Sequence, residues 1–220
     1  MTNSESRAPR TRRRWLWVSL VVAVVVLVPV GFLVVPIVTH QNQGVSVQED
    51  SGELWPLTVT AMGDDGRERV VTVEAAEDGA LLDTSSIAEG DRLIVSGSGF
   101  DSGQGIYVAV CVIPDDPATK PGPCLGGVPA QEQQNVDAGT VQYAPSNWIN
   151  DDWAWRLFGA RGYDDLELGT FTAYLEMPNP VGEGVDCTVD ACGIYTRNDH
   201  TALRDRVQDV YIPVGFAASN

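Results

Sequence analysis

The chain has 220 residues, and its 30 acidic and 14 basic residues give a formal net charge of −16. Residues 1–40 carry +4, whereas residues 41–220 carry −20. An acidic segment of this strength repels the phosphates of nucleic acid and anionic lipid, which excludes nucleic acid as a partner. The apolar content of 44% excludes a chain that is disordered throughout.

An uncharged stretch of 25 residues, from Trp15 to Thr39, follows five arginines near the N-terminus. About 20 apolar residues are enough for a helix to span a bilayer, and the bilayer enforces helical hydrogen bonding despite the many valines. Because the next basic residue is Arg67, the positive-inside rule predicts a cytoplasmic basic tail (1–14), a transmembrane signal anchor (15–39) and an extracytoplasmic remainder. Pro29 and Pro36 are expected to kink or end the helix.

Two alternatives compete with an uncleaved anchor. A cleaved signal peptide has an apolar region of about 7–15 residues followed by a site of small residues. This apolar run is longer, and residues 35–40 are not small. Residues 11–16 resemble a twin-arginine export signal, but positive-inside anchoring accounts for the same arginines.

Residues 40–54 are polar and contain glycine and serine, so they are predicted to form a tether before a folded region at 55–220. In that region, apolar and polar side chains alternate with a period of two, which indicates half-buried strands. The predicted strands cover residues 57–61, 69–74, 92–96, 106–112, 170–177 and 210–216. The best helical candidate is short, at 153–158. Several short strands favour an all-β antiparallel sandwich.

Four cysteines follow the apolar run, where the predicted compartment is oxidising. They allow three connectivities, and proximity in the chain favours Cys111–Cys124 and Cys187–Cys192. A zinc site is the alternative, but zinc ligands are usually C-x₂₋₄-C pairs, often with histidine. Here the two gaps hold 12 and 4 residues, so two short-range structural disulfides are predicted and no metal.

Two segments resemble the neocarzinostatin-like apoproteins of actinobacteria: the glycine-rich strands at 93–100 and 105–111, and the cysteine segment at 185–192. The last strand, 210–216, is similar too. The resemblance implies an immunoglobulin-like sandwich with an apolar ligand cleft. Residues 105–111 with 121–124 also resemble modules of actinobacterial cell-surface proteins.

Two departures limit what this resemblance implies about function. The chain has a predicted anchor, whereas the antibiotic carriers of the family are secreted. It also has a long insert, at 128–166, between the two disulfide regions. The resemblance therefore supports the fold more than the binding of an enediyne-type chromophore, and no cleft residue is carried over.

The insert is the strongest candidate for a ligand- or partner-binding site, because aromatic side chains beside arginine mark many interfaces. Its candidate residues are Trp148, Trp153, Trp155, Arg156, Phe158 and Tyr163. The alternative is structural: the same aromatics could form a satellite core beneath a long loop.

Support for catalysis is thin. Asp199 and His200 imitate half of a triad, but adjacent residues rarely orient one another in that way, and a turn between the last two strands is the better interpretation. The paired acids (Asp64-Asp65, Asp115-Asp116, Asp151-Asp152 and Asp164-Asp165) lack the pattern of a calcium loop and read as solvated turns. The sequence predicts no catalytic residue and no cofactor.

These features favour a non-catalytic, membrane-anchored module of the cell envelope. It would bind an envelope protein or a small apolar ligand through the insert and the sandwich cleft. A structural spacer or accessory subunit is the alternative, and an envelope enzyme with an unrecognised carboxylate site is a weaker one.

Overall fold

The computed structural model describes residues 10–77, 79–127 and 141–217. Residues 1–9 of the predicted tail (1–14) and residues 128–140 of the predicted insert (128–166) lie outside the described residues. The chain forms two compact units, Met1–His40 and Gln41–Asn220.

The first unit contains one helix, α1 (Arg10–Thr39). Its segment Arg14–Thr39, of 26 residues, is long and apolar enough to cross a membrane. At a rise of 1.5 Å per residue it measures about 39 Å, against a hydrocarbon core of about 30 Å. Pro29 and Pro36 lie inside the helix, so neither of them ends it.

The second unit is an antiparallel β-sandwich, as the sequence predicts. One sheet has five strands in the order β1-β2-β3-β4-β7, and the facing sheet has four in the order β11-β10-β5-β6. The strands of the first sheet are β1 (Ser46–Gln48), β2 (Thr58–Gly63), β3 (Glu68–Ala75), β4 (Arg92–Ser98) and β7 (Phe171–Glu176). Those of the second are β5 (Ile106–Val112), β6 (Ser146–Ile149), β10 (Cys192–Asn198) and β11 (Val210–Val214).

The strand order is that of an immunoglobulin-like domain. Strands β3, β4 and β7 correspond to A, B and E, and β11, β10, β5 and β6 correspond to G, F, C and C′. A short ribbon, β8 (Val181–Gly182) with β9 (Val185–Asp186), and a one-turn helix, α2 (Trp153–Leu157), complete the unit. The predicted fold class is therefore confirmed.

The core lies between the sheets and is built from alternate strand positions. The four-stranded sheet contributes the buried side chains of Val108, Val110 and Ile194 to the core. The five-stranded sheet contributes those of Val95 and Phe171. The Phe100 and Phe171 rings meet edge to face, with centroids 5.0 Å apart. The period of two in the sequence thus becomes the inner surface of each sheet.

Both predicted disulfides are present. Cys111 bonds to Cys124, and Cys187 bonds to Cys192. The first folds the proline-rich segment after β5 back onto that strand, where Val112 N donates to Pro123 O at 3.1 Å and Leu125 N donates to Val110 O at 2.8 Å.

Two predicted boundaries differ from the structure. Strand β1 lies inside the stretch predicted as a tether (40–54), and residues before it are already bonded: Gln43 N donates to Asp205 Oδ2 at 3.0 Å, and Arg206 N donates to Gly44 O at 3.0 Å. Strand β6 lies inside the predicted insert and pairs with β5, so that part of the insert is an edge of the sandwich.

Strand β10 is not among the predicted strands: it lies between those predicted at 170–177 and 210–216, and it runs to Asn198, directly before the predicted turn at Asp199 and His200. Its inward-facing residues Thr196 and Asn198 are polar, so the sequence lacks the alternation of apolar and polar residues that indicates a strand. Both are buried but satisfied: Thr196 Oγ1 donates to Gln208 O at 2.8 Å, and Asn198 Nδ2 donates to Asp205 O at 3.1 Å. The polar face is stable because its hydrogen bonds are internal.

Replacing Thr196 with valine tests this account. Thr196→Val keeps the shape but leaves Gln208 O and Val210 N without the hydroxyl they bond to. We expect the free energy of unfolding to fall by about 1–3 kcal/mol, measured by urea titration of the detergent-solubilised chain. The matched control is Thr58→Val on the exposed edge of β2, where we expect little change. Equal effects of the two substitutions would contradict the role of the buried hydroxyl.

Candidate functional site

The outer face of the four-stranded sheet carries a row of large side chains. Because Val108 and Val110 point into the core, Tyr107 and Ala109 of β5 point outward. Tyr107 is paired with Trp148 of β6 on one side and with Arg197 of β10 on the other. In the next row, Tyr195 lies beside Tyr211 of β11, with ring centroids 4.9 Å apart.

A buried carboxylate fixes one end of this face. The Oδ2 atom of Asp199 accepts hydrogen bonds from Trp148 Nε1 at 2.8 Å and from Asn150 Nδ2 at 2.9 Å. Its Oδ1 atom accepts from the backbone N–H and the hydroxyl of Thr201, at 2.8 and 2.6 Å. Gly105 passes so close that a Cβ there would lie 2.0 Å from Asp199 Oδ2, so this approach requires glycine.

His200 joins the aromatic side chains on that end. Its Nδ1 lies 3.0 Å from the Tyr107 hydroxyl, and its ring lies edge-on to Trp155, with centroids 4.6 Å apart. The His200 and Trp148 centroids are 5.3 Å apart. Burial, together with the charge of Asp199, raises the pKa of Tyr107 to about 12, so the phenol stays neutral and can donate to Nδ1.

Asp199 and His200 therefore contact different partners, as expected if they form a turn and not half of a triad. Ala202 N donates to Asp199 O at 3.2 Å, which closes that turn. Among the described residues, no three His, Cys, Asp or Glu side chains are grouped as metal ligands.

Helix α2 is short, so local contacts must hold it in place. Asp152 caps it by accepting from Ala154 N at 2.8 Å. Asp151 pairs with Arg156 at 3.3 Å and also accepts from Tyr163 N at 2.7 Å. These bonds tie both ends of the segment 151–163 together and fix the orientation of the helix.

The fixed helix presents large apolar side chains to solvent. Trp153 is 65% exposed, Leu157 71% and Phe158 55%. We call these three residues the α2 apolar patch. Trp153 and Leu157, at i and i+4, share one face of α2, and Phe158 follows directly as its C-cap.

The six residues singled out in the sequence thus fall into three groups. Trp148 and Trp155 pack together, with ring centroids 5.9 Å apart, and form the base under α2. Trp153, Arg156 and Phe158 are exposed. Tyr163 lies in the main core, where its hydroxyl donates to Gln104 O at 2.9 Å and burial raises its pKa well above the ordinary value.

Sequence analysis missed Tyr107, Arg197, Asp199 and His200 as members of this surface. One signal was available for Tyr107: it occupies an outward position of a predicted strand whose inward positions are apolar. The contact between Tyr107 and His200 joins residues 93 apart in the chain, and no local pattern indicates such a pairing.

Comparisons with known proteins give limited relationships. No family model matches the chain. The curated thiamine biosynthesis protein X of Corynebacterium glutamicum is 29% identical over 140 residues, which is 63% of each chain, so this chain matches less than two thirds of that protein. Among solved structures, macromomycin matches with a TM-score of 0.35 and 18% identity, over 67% of this chain and 99% of macromomycin.

The role of Asp199 can be tested against a matched carboxylate. In Asp199→Asn, an amide N–H₂ replaces one of the two carboxylate oxygens. It then faces either the donors of Trp148 and Asn150 or those of Thr201, and no hydrogen bond can form there. We expect the free energy of unfolding to fall by about 1–3 kcal/mol, with a changed tryptophan emission spectrum. Asp83 makes the same local turn, accepting from Ser85 N and Ser85 Oγ, but is exposed. We expect Asp83→Asn to leave stability and emission nearly unchanged, and an equal loss in both variants would refute the special role of Asp199.

Proposed function

We propose that the protein is a membrane-anchored, non-catalytic binding module of the cell envelope, with its N-terminus in the cytoplasm and its sandwich outside. Three features support this proposal. Helix α1 contains a segment apolar enough to span a membrane, five arginines lie before its uncharged run Trp15–Thr39, and the sandwich contains two disulfides, which form and persist outside the cytoplasm.

The observation that carries the binding function is the α2 apolar patch on its fixed base. Exposed large apolar side chains are costly unless a partner covers them. Because Asp151, Asp152 and the Trp148–Trp155 pair already order the helix, a partner loses little further conformational entropy on binding. Rigid aromatic anchors of this kind dominate the binding free energy of many interfaces.

The partner would be an envelope protein or a small apolar ligand with a surface complementary to the patch. Thiamine is a cation and not an apolar ligand, but it is a separate small molecule to assay because the name of the similar Corynebacterium protein concerns its biosynthesis. The structural alternative, a spacer whose aromatics only complete a core, accounts for Trp148 and Trp155. It gives no reason for the exposure of Trp153 and Phe158.

Site-specific crosslinking in cells tests the patch. A benzophenone amino acid at position 157 should give a discrete crosslinked product, whereas the same group at position 189 should not, although Leu157 and Val189 are both highly exposed. In the chain with the crosslinker at 157, Trp153→Ser with Phe158→Ser should reduce the product at least tenfold without changing the thermal unfolding midpoint. Equal products from positions 157 and 189, or none at 157 in a folded chain, would favour the spacer.

Cysteine labelling tests the topology. Because all four native cysteines are in disulfides, a single new thiol reports its own position. In intact cells, Ser51→Cys should react with a membrane-impermeant maleimide, and Ser4→Cys should react only after permeabilisation. Labelling of Ser4→Cys from outside, or a mature mass showing cleavage after the apolar run, would contradict the proposed anchor.

A further inference from the structure

A preformed cavity lies on the same outer sheet face, beside β10 and β11, whereas α2 follows β6 at the opposite edge of the sheet. Its volume is about 230 Å³, which is enough for a ligand of roughly one aromatic ring with a short substituent. Its floor is the stacked pair Tyr195–Tyr211. Its walls are strand β1 and the proline-rich segment 114–121.

Both walls are held by bonds that do not involve a ligand. The Cys111–Cys124 disulfide and the bond from Thr119 N to Asp116 O, at 2.8 Å, fix the proline-rich wall. On the other wall, Gln48 Oε1 accepts from Tyr211 N at 3.1 Å. The cavity is therefore ordered before any ligand arrives, which lowers the cost of binding.

The charged side chains that line the cavity are carboxylates. Asp115 lies at the exposed edge, and Asp209 lies deeper, with only 7% of its side chain exposed. The Oδ2 atom of Asp209 is paired with Arg206 Nη1 at 2.8 Å. Its Oδ1 atom is buried and accepts no hydrogen bond of normal geometry from the described residues. A buried acceptor without a donor is costly, so a ligand that supplied an N–H there would gain free energy.

Other charges act on Asp209 without lining the cavity. Burial raises the pKa of Asp209 to about 7, while Arg206, Arg197 and the backbone N–H of Asn198 lower it. Burial, Arg197 and Arg206 lower the pKa of Lys120, and Asp209 opposes them. This lysine therefore also lies near Asp209. These cations partly neutralise Asp209. A hydrogen bond to Oδ1, and not charge attraction alone, must therefore provide much of the selectivity.

The tyrosine rings complete the chemistry. Faces of aromatic rings attract ammonium groups, and the attraction is larger where water is excluded. Tyr195 is 4% exposed, and burial and its neighbours Tyr211 and Asp209 raise its pKa well above the ordinary value. Its hydroxyl therefore stays neutral, and Tyr195 and Tyr211 both line the cavity.

We propose that this cavity binds a small primary ammonium compound with a compact apolar body, its N–H groups directed to Asp209 Oδ1 and its body packed on Tyr195, Tyr211 and the prolines. The site is separate from the α2 apolar patch, and the inference does not depend on the function proposed for that patch. The ammonium is recognised by the unpaired carboxylate oxygen, and the apolar body by the ring faces and the proline-rich wall.

Three fluorinated probes of one shape test this proposal on the full chain in a non-ionic detergent: 4-fluorobenzylamine, 4-fluorobenzyl alcohol and 4-fluorobenzoate. Dissociation constants come from fluorine NMR relaxation of the probes at about pH 8, where an alkylammonium group remains protonated. We expect the amine to bind at least tenfold more tightly than the alcohol, and the benzoate to bind weakest. Affinity for the amine should fall at about pH 5.5, because Asp209 is then protonated.

Matched substitutions locate the site. Asp209→Asn should lower the affinity for the amine at least tenfold and leave the affinity for the alcohol unchanged. Asp65→Asn breaks the comparable buried pair with Arg69 and should change neither affinity. If Asp209→Asn does not fold, Tyr211→Leu serves in its place. It should weaken the amine, and Tyr143→Leu, from an aromatic pair outside the cavity, should not.

Several outcomes would overturn the inference. They are no binding of the amine at millimolar concentration, equal or tighter binding of the alcohol or the benzoate, and unchanged amine binding in the folded cavity variants. The Trp153→Ser, Phe158→Ser variant should retain amine binding. Its loss there would place the amine at the α2 apolar patch and likewise reject the cavity.

Discussion

The hydrogen bonds of the Asp199 carboxylate are the interaction on which the α2 end of the sandwich depends. Asp199 is completely buried, and burying a carboxylate is unfavourable unless hydrogen bonds replace its hydration. Four donors meet this requirement, from Trp148, Asn150 and Thr201. They come from two separate parts of the chain, the end of β6 and the turn after β10, so the carboxylate joins both. Trp155 then packs on Trp148 and His200, and α2 acquires a fixed base.

Strand register connects the α2 patch to the cavity. Trp148, Tyr107 and Arg197 follow one another across β6, β5 and β10, and Asp209, next to Val210 in the register, continues the row beside Arg197. One row of side chains therefore joins the β6 edge of the sheet, which α2 follows, to the β11 edge, which borders the cavity. The disulfide contributes to the same layer, because Cys111 points outward from β5 and folds the proline-rich segment back as a wall of the cavity.

The sequence predicts the strands whose buried faces are purely apolar, such as β5 and β7, because their alternation is visible without knowledge of their neighbours. It does not predict β10, since Thr196 and Asn198 face inward and are satisfied by backbone atoms of the segment that follows. Strand β1 is short and polar, and its position depends on pairing with β2. Local composition contains none of this information.

The candidate site shows the same limit. The density of aromatics singles out Trp148 and Trp155 together with the exposed residues of α2, but composition alone does not distinguish the buried side chains from the exposed ones. Tyr163 illustrates this point, because its ring belongs to the core and packs against Phe171, with centroids 6.5 Å apart. Asp199 and His200 looked like ordinary turn residues. Their partners are brought near only by the register of β5 with β6 and β10.

The net charge of the sandwich limits which surface charges a partner can have. Three of its nine basic residues form ion pairs with acids. Arg69 and Arg206 are buried in pairs with Asp65 and Asp209, and the more exposed Arg156 pairs with Asp151. Each of these pairs also neutralises one acid, so the net charge is unchanged, and because most of the other acids are exposed, the surface that meets solvent is strongly acidic. A partner for the α2 apolar patch must therefore combine an apolar centre with a rim that is neutral or basic. Long-range attraction would bring such a partner to either end of the outer face, while anionic molecules of the same shape would be excluded at the approach.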